Sequence, residues 1–271
     1  MNTPKGLLID ITKCIGCGEC MRACAEANGL PQEEAKQLSA EHYTVLQAYH
    51  NDEVFVRRMC MHCVEPTCVS ACLVGAFTKT SDGPVLYDAD KCIGCRYCMQ
   101  ACPFQVPRYE WSSLIPRVQK CRMCAERVAN GGVTACTEAC PTGATMFGDR
   151  EELIREGHRR IQASPEEYVD HIYGLTEAGG TSVMYLSGIP FEELGFPKNL
   201  STEPIPQLSW KVLSQIPKYS VAATVLLMGI HWITARRVEV ARFEAEEERL
   251  RIAEKIQEKR GNNTGKGGES R

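Results

Sequence analysis

The spacing of the cysteines constrains this chain more than any other feature. Residues 91–103 read KCIGCRYCMQACP, so that Cys92, Cys95, Cys98 and Cys102 follow the pattern C-x2-C-x2-C-x3-C-P. Three thiolates spaced two residues apart can bind three iron corners of one [4Fe-4S] cluster, while the fourth ligates a neighbouring cluster. One such run therefore predicts a partner run in the same chain.

Three further sets of four take up all the remaining cysteines of the chain. The sets are Cys14, Cys17, Cys20 and Cys24; Cys60, Cys63, Cys68 and Cys72; and Cys121, Cys124, Cys136 and Cys140. We number the four sets as motifs one to four in chain order. They predict four [4Fe-4S] clusters with the sixteen cysteines as iron ligands.

Two other uses of cysteine compete with this interpretation. Disulfide frameworks occur in short secreted chains with irregular spacing, unlike these regular sets in 271 residues. Four-cysteine zinc sites also use C-x2-C pairs and would make the chain a zinc-rich structural or interaction protein. A triple C-x2-C-x2-C, which occurs twice, is hard to arrange around one tetrahedral zinc ion, so the spacing favours clusters.

Composition and the remaining motifs limit the function. The net charge of −3 gives no overall positive field of the kind that recruits nucleic acid. No Ser-His-Asp order, phosphate loop or carboxylate pair accompanies the cysteines, so we expect no catalytic residue on this chain. An autonomous redox enzyme remains an alternative. Four clusters in one small protein favour electron transfer, because tunnelling over a wide gap needs a row of closely spaced centres.

Residues 1–148 are predicted to form an α+β domain of two bacterial-ferredoxin-like dicluster units. Short strands are predicted at 7–10, 54–57, 85–88 and 145–148, and a helix at 19–27. Residues 76–88, AFTKTSDGPVLYD, predict two strands around a turn, which is how the halves of a small ferredoxin unit are joined. Motifs two and three therefore form one unit, and the flanking motifs one and four form the other.

The motifs in this order resemble the four-cluster ferredoxin subunit of respiratory complexes. That family serves membrane-bound nickel-iron hydrogenases, formate dehydrogenases and other molybdenum oxidoreductases. The resemblance covers about residues 7–147 with every ligand position filled, and 179–197, GGTSVMYLSGIPFEELGFP, is similar to the segment that follows the clusters in the hydrogenase and formate dehydrogenase branches. In motifs one and two the fourth cysteine is followed by Ala25 and Leu73 instead of proline. We expect this difference to change the stiffness of the loops and not the number of clusters.

The resemblance pairs motif one with four and motif two with three, and the fourth cysteine of each run crosses to the other cluster. It thereby implies four ligand sets, which we number by the motif that supplies three of the ligands. They are site 1 (Cys14, Cys17, Cys20 and Cys140), site 2 (Cys60, Cys63, Cys68 and Cys102), site 3 (Cys92, Cys95, Cys98 and Cys72) and site 4 (Cys121, Cys124, Cys136 and Cys24).

Several residues near the ligands are candidates for tuning the clusters. Four basic residues lie beside cysteines in the sequence: Lys91, Arg96, Lys120 and Arg122. Their charges would raise the reduction potentials of the clusters, unless they are ordinary solvated surface charges. His62 lies inside motif two, where the cysteine triple is already complete. It is therefore predicted to lie near the ligands or at the surface without binding iron.

Residues 149–215 are predicted to be a helical and proline-rich connector. Asp149 and Glu152 begin a helix that runs to about residue 163, and Ser164 and Pro165 open another. Prolines then recur between residues 190 and 217 without a sustained period, which indicates an extended arm over the domain or a partner.

Residues 216–235, IPKYSVAATVLLMGIHWITA, predict a single transmembrane helix. As a helix its 20 residues would span about 30 Å, with Tyr219 and Trp232 as interfacial aromatics and Arg236 ending the run. A buried core helix, or a helix docked in a partner, is the alternative. His231 is a candidate for facing a quinone or haem in a membrane partner, or else reaches the interface. Residues 236–260 predict a charged cytoplasmic helix and 261–271 a disordered tail.

Basic residues predict the orientation of the span. Six lie within about 20 residues on its C-terminal side and three on its N-terminal side. The positive-inside rule then places the C-terminus in the cytoplasm and the clusters outside the cytoplasmic membrane. The N-terminus carries no export signal, so we expect travel with a signal-bearing partner.

The sequence thus predicts a membrane-anchored electron-transfer subunit. Two protein partners are expected. One is a catalytic subunit, namely a nickel-iron hydrogenase, and the other is an integral membrane quinone-reactive subunit in the lipid bilayer. A formate dehydrogenase or another molybdoenzyme is the alternative catalytic partner. No nucleic acid is expected as a partner.

Overall fold

The computed structural model describes residues 3–264, and the side chains of residues 3–257. The chain divides into two units, one that extends to Trp210 and one that begins at Lys211. The first unit contains every cysteine motif. Its elements are β1 (Lys5–Asp10), α1 (Glu19–Asn28), β2 (Thr44–Tyr49), β3 (Val54–Met59), α2 (Thr67–Ser70), β4 (Phe77–Lys79), β5 (Val85–Tyr87), α3 (Tyr97–Ala101), β6 (Arg108–Tyr109), β7 (Val118–Gln119), α4 (Ala125–Ala129), α5 (Ala135–Glu138), β8 (Thr145–Asp149), α6 (Arg150–Ala163), β9 (Val183–Leu186) and the start of α7 (Ile205–Leu213).

A three-stranded sheet with the order β8-β1-β9 forms the middle of this unit. Strand β1 pairs antiparallel with β8 and parallel with β9, with Leu7 opposite Val183. All four residues of β9 are buried, as is typical of a parallel strand covered on both faces. The sheet therefore joins the N-terminus, the residues after motif four and a much later segment.

The two faces of the sheet have different neighbours. Leu8 and Met184 pack with Leu153 and Ile161 of α6 on one face. Leu7 and Ile9 lie on the other face in a cluster of buried side chains that includes Cys24, Cys60 and Cys121. Because neighbouring strand residues point to opposite faces, β1 separates α6 from the cysteines.

The cysteine motifs occupy loops that each lead into a short helix. The predicted strands at 7–10, 54–57, 85–88 and 145–148 and the helix at 19–27 are present with slightly longer or shorter bounds. Strands β4 and β5 form the hairpin expected between motifs two and three. Helix α1 packs against α5, and α2 against α3, so motif one neighbours motif four and motif two neighbours motif three.

The segment predicted to be a connector differs from the prediction. Residues 149–210 fold with the cluster motifs, because β9 completes the sheet and α6 covers one face of it. A four-residue apolar run carries too little periodicity to be recognised as a strand. The predicted second helix at Ser164 and Pro165 is a turn, and Asp149 bonds to Thr3 and Lys5 instead of capping α6 with its side chain.

The second unit contains the end of α7 and one continuous helix, α8 (Ile216–Thr264). Residues 205–257 hold the one candidate membrane span in the described part of the chain, and its apolar window is exposed. This fits a membrane-anchored subunit. The predicted span and charged helix are parts of α8, which also takes in residues 261–264 of the predicted disordered tail. The rest of that tail, 265–271, lies outside the described residues.

Candidate iron-sulfur cluster sites

Each cysteine loop turns through a left-handed backbone position just before its second cysteine. The φ angles there are 72° at Gly16, 47° at His62, 70° at Gly94 and 53° at Met123. A Cβ at Gly16 would lie 2.6 Å from the ring of Phe55, so both conformation and space favour glycine there. The repeated turn reverses the chain between the first and second cysteine of each motif.

Backbone N–H groups point at several of the sulfur atoms. The N–H of Gly94 lies 3.4 Å from Cys92 Sγ, that of Met123 lies 3.3 Å from Cys121 Sγ, and that of Ala76 lies 3.2 Å from Cys72 Sγ. Hydrogen bonds to ligand sulfur stabilise its negative charge and raise the potential of a bound cluster.

Motifs one and four contribute thiols to two shared cavities. Four thiols, those of Cys14, Cys17, Cys20 and Cys140, line one of them. Four others, those of Cys24, Cys121, Cys124 and Cys136, line the other. Each cavity thus contains three cysteines of one motif and the fourth cysteine of the other, which are the sets of sites 1 and 4.

Motifs two and three exchange neighbours in the same way. Burial, reinforced by Cys60, Cys102 and Cys68, raises the pKa of Cys63 well above its usual range. Burial, reinforced by Cys92, Cys95 and Cys72, raises the pKa of Cys98 to about 12. These neighbours are the other members of the predicted sites 2 and 3.

The donor set fits iron-sulfur clusters. All sixteen cysteines lie in the described part of the chain, and none of them forms a disulfide. Burial raises the pKa of Cys24 and Cys68 to about 12. These thiols therefore lose their protons only when a bound metal stabilises the thiolate.

The imidazole ring of His62, within motif two, has a buried nitrogen that could donate a hydrogen bond to a bound cluster. His62 is fully buried, which rules out the predicted alternative of a surface residue. Its Nδ1 accepts a hydrogen bond from the N–H of Val85 at 2.9 Å, and its Nε2 has no partner among the described residues. Burial lowers the pKa of His62 well below its usual value, so the ring is neutral and carries its proton on Nε2.

Comparison with known proteins identifies the family. Two models described as 4Fe-4S dicluster domain match residues 6–73 and 51–150. The hydrogenase-2 operon protein HybA of Escherichia coli O157:H7 is 36% identical over 244 residues, which are 73% of this chain and 74% of HybA. This chain belongs to the family of four-cluster iron-sulfur subunits of respiratory oxidoreductases.

Two further relatives are similar to this iron-sulfur subunit over most of its length. A protein of Nitratidesulfovibrio vulgaris Hildenborough is 42% identical over 258 residues, covering 89% of this chain and 70% of that protein. The formate dehydrogenase iron-sulfur subunit of Haemophilus influenzae Rd is 34% identical over 250 residues, covering 84% and 79%. The cofactors are four [4Fe-4S] clusters, which overturns the zinc and disulfide alternatives.

Of the basic residues predicted to tune this iron-sulfur subunit, two lie close to ligands, one of them buried and the other exposed. Lys120 is buried and donates to the carbonyl oxygens of Val85 and Cys121 at 2.6 and 3.0 Å. Arg122 lines the cavity of site 4. Lys91 instead forms an exposed ion pair with Asp88, and Arg96 lies over the rings of Tyr109 and Trp111.

Sequence reasoning missed a partly buried cation, Lys79, and a fully buried one, Arg57. The Nζ of Lys79 donates to the carbonyls of His62 and Gly83, and burial lowers the pKa of Lys79 to about 8. Arg57 is 2% exposed and lines the cavities of both site 1 and site 4. Neither residue is adjacent to a cysteine in the sequence, and the apolar pattern of β3 around Arg57 is the one signal for its burial.

Proposed function

We propose that this iron-sulfur subunit relays electrons between a catalytic subunit outside the cytoplasmic membrane and a quinone-reactive subunit within it. The observation that carries the proposal is the combination of four thiol-lined sites in one unit with an exposed apolar helix in the other. The clusters supply one-electron chemistry when bound. The protein's own groups hold them in place, exclude water and supply hydrogen bonds and charge.

The ligand sets proposed for the four clusters are those of sites 1 to 4. The shared cavities of motifs one and four support sites 1 and 4. The neighbouring thiols around Cys63 and Cys98 support sites 2 and 3. Because each cluster takes its fourth ligand from the partner motif, the two members of a pair are bound close together and electrons pass readily between them.

A nickel-iron hydrogenase is the proposed catalytic partner. The similarity to the hydrogenase-2 operon protein over 73% of this chain supports it. A formate dehydrogenase is the second candidate, favoured by the Haemophilus influenzae relative that aligns with 84% of the chain. In either case the chain contributes the relay, and the catalytic metal lies on the other subunit.

The proposed orientation places the first unit outside and the C-terminus of α8 in the cytoplasm. The excess of basic residues after position 235 supports this arrangement. His231 lies on the exposed apolar stretch of α8, where its imidazole is available to a quinone or haem of the membrane partner.

Purification of the complex from solubilised membranes, followed by mass spectrometry and dye-linked assays, tests the proposed partners. We expect a hydrogenase large subunit and an integral membrane protein to co-purify, with hydrogen-dependent dye reduction. Formate-dependent reduction with a molybdenum subunit would select the second candidate. Recovery of this chain alone, with its clusters intact, would contradict the relay.

A further inference from the structure

A buried positive charge lies between the two cavities formed by motifs one and four. The guanidinium of Arg57 projects from the buried face of β3 and borders both cavities. Its Nε donates to Thr44 Oγ1 at 2.9 Å, and an Nη donates to Thr145 Oγ1 at 3.3 Å. The hydroxyl of Tyr185 donates to the carbonyl oxygen of Arg57 at 2.8 Å, which fixes the backbone at this position.

The partners of Arg57 leave its charge uncompensated by protein groups. Threonine hydroxyls satisfy N–H donors without supplying negative charge, and Arg57 forms no ion pair with a carboxylate among the described residues. Removing a guanidinium from water costs several kcal/mol unless a counter-charge lies nearby. The groups that do lie nearby are cysteines, among them Cys20 in one cavity and Cys136 in the other.

The influence of Arg57 extends to both sites. Its side chain lines the cavity that contains Cys14, Cys20 and Cys140 as well as the cavity that contains Cys24, Cys124 and Cys136. A cluster with four thiolate ligands is an anion whose negative charge grows on reduction. A cation held between two such anions stabilises the reduced state of both.

We propose that Arg57 is the shared counter-charge of the clusters in sites 1 and 4 and raises the reduction potentials of both. The proposal rests on the cluster relay described above and adds how one pair within it is tuned. By offsetting the repulsion between two anions, Arg57 also lets the two clusters be reduced together. Arg57 does not border sites 2 and 3, and the cations near the thiols of site 2 are Lys79 and Lys120.

The test is a redox titration, followed by low-temperature electron paramagnetic resonance, of the purified complex carrying Arg57→Gln. We expect two of the four clusters to shift together to lower potential while the other two stay in place. Arg57→Lys, which keeps the charge, should restore the larger part of the shift. Iron content verifies that the clusters are present.

Arg58→Gln is the matched control. Arg58 is the next residue of β3, but its guanidinium points the other way and donates to Gln47 Oε1 at 3.0 Å and Tyr49 Oη at 2.9 Å. The Arg58→Gln substitution removes one positive charge, as Arg57→Gln does, but the reduction potentials of the clusters in sites 1 and 4 should stay unchanged.

Three outcomes overturn the proposal. The first is unshifted potentials in Arg57→Gln with all clusters present, and the second is an equal shift of all four clusters. The third applies if the Arg57→Gln variant fails to assemble the clusters of sites 1 and 4. The Arg57→Lys variant should then still assemble them. Equal failure of both variants would show that positive charge is not the requirement. Absence of clusters from the wild-type complex would instead contradict the relay itself.

Discussion

At the scale of single residues, this protein combines identical ligands with different surroundings. The chain carries four [4Fe-4S] clusters and four equivalent sets of cysteines, and the groups around these sets differ. Arg57 borders sites 1 and 4, whereas His62 and Lys120 lie close to site 2. Since hydrogen bonds and nearby charge shift cluster potentials, these surroundings distinguish the steps of the relay.

The exchange of fourth ligands gives the sharpest prediction at this scale. Cys140→Ser and Cys14→Ser should perturb the same cluster, because both thiols line the cavity of site 1. Redox-titrated resonance spectra of the two variants make the comparison, with Cys24→Ser as the control that perturbs site 4. If Cys140→Ser alters the cluster of Cys121, Cys124 and Cys136 instead, each motif ligates its own cluster.

The candidate ligands can be identified from the sequence, because the chemistry of a cubane cluster fixes their type and spacing. The cations around them are not. Arg57 lies three residues before Cys60 in a short strand, and only the fold reveals that it borders the thiols of motifs one and four. Lys120 and Lys91 each precede a cysteine, yet one is buried and the other is exposed to solvent.

At the scale of elements, the cluster loops depend on a sheet and helix that carry no ligands. Strand β9 extends the sheet beside β1, and the N–H groups of Ser182 and Val183 bond to the carbonyl of Met61 inside motif two. Helix α6 is attached to the start of motif one by Arg160, whose Nη lies 2.7 Å from the buried carboxylate of Asp10. Hydrogen bonds from Tyr168 and Thr12 complete this contact.

The approach of β9 to β1 predicts a large effect of a small substitution. A Cβ at Gly6 would lie 2.7 Å from the carbonyl oxygen of Ser182, so Gly6→Ala must push the two strands apart. We expect a loss of about 1–3 kcal/mol in the free energy of unfolding. Gly148→Ala in β8 is the control, since its nearest neighbour is Leu153 at 3.9 Å. Equal stability of the two variants would show that β9 can separate from the sheet without cost.

The attachment of α6 predicts a contrast between two arginines of one helix. Arg160→Ala leaves the carboxylate of Asp10, which is 1% exposed, without its cation and should cost about 3–5 kcal/mol. Arg155→Ala removes an exposed pair with Glu152 and should cost about 0–1 kcal/mol. Thermal unfolding of the holoprotein measures both, and similar losses would contradict a structural role for the Asp10 contact.

The short loop helices and the hairpin of β4 and β5 follow from local sequence, and so does α8. The role of β9 does not, because four apolar residues become a strand only when β1 offers a free edge. For the same reason the cluster unit extends to Trp210 and not to residue 148. Tertiary pairing decided this boundary, and local propensity could not.

At the scale of the whole molecule, the first unit is a loop-rich fold whose core contains its ligands. Cys24, Cys60 and Cys121 lie among the buried side chains of its main hydrophobic cluster. Iron-thiolate bonds therefore contribute stability that these loops do not otherwise have. Helix α8 requires no cluster to form and requires an apolar environment for its exposed stretch.

Removing iron should accordingly unfold the first unit in one transition and leave α8 helical in detergent. The expected signal is loss of colour and of near-ultraviolet circular dichroism, with part of the far-ultraviolet helical signal retained. Reconstitution with iron and sulfide provides the control. A colourless sample that keeps its native near-ultraviolet spectrum would contradict the dependence of the fold on its clusters.

The proposed orientation predicts which end of the chain is accessible from outside the cell membrane. Protease added to intact spheroplasts should cut the first unit and spare the C-terminal half of α8, because the basic residues after 235 keep that end in the cytoplasm. Lysed spheroplasts, in which both ends are cut, are the control. Cleavage of the C-terminal end alone in intact spheroplasts would place the clusters in the cytoplasm.

The most direct test of the central claim is rapid-mixing spectroscopy of the purified complex. The relay predicts that the substrate of the catalytic partner, hydrogen or formate, reduces the clusters of this chain before any quinone is reduced. Added quinone should then reoxidise the clusters. The relay would be contradicted if that substrate reduced quinone at full rate while these clusters stayed oxidised.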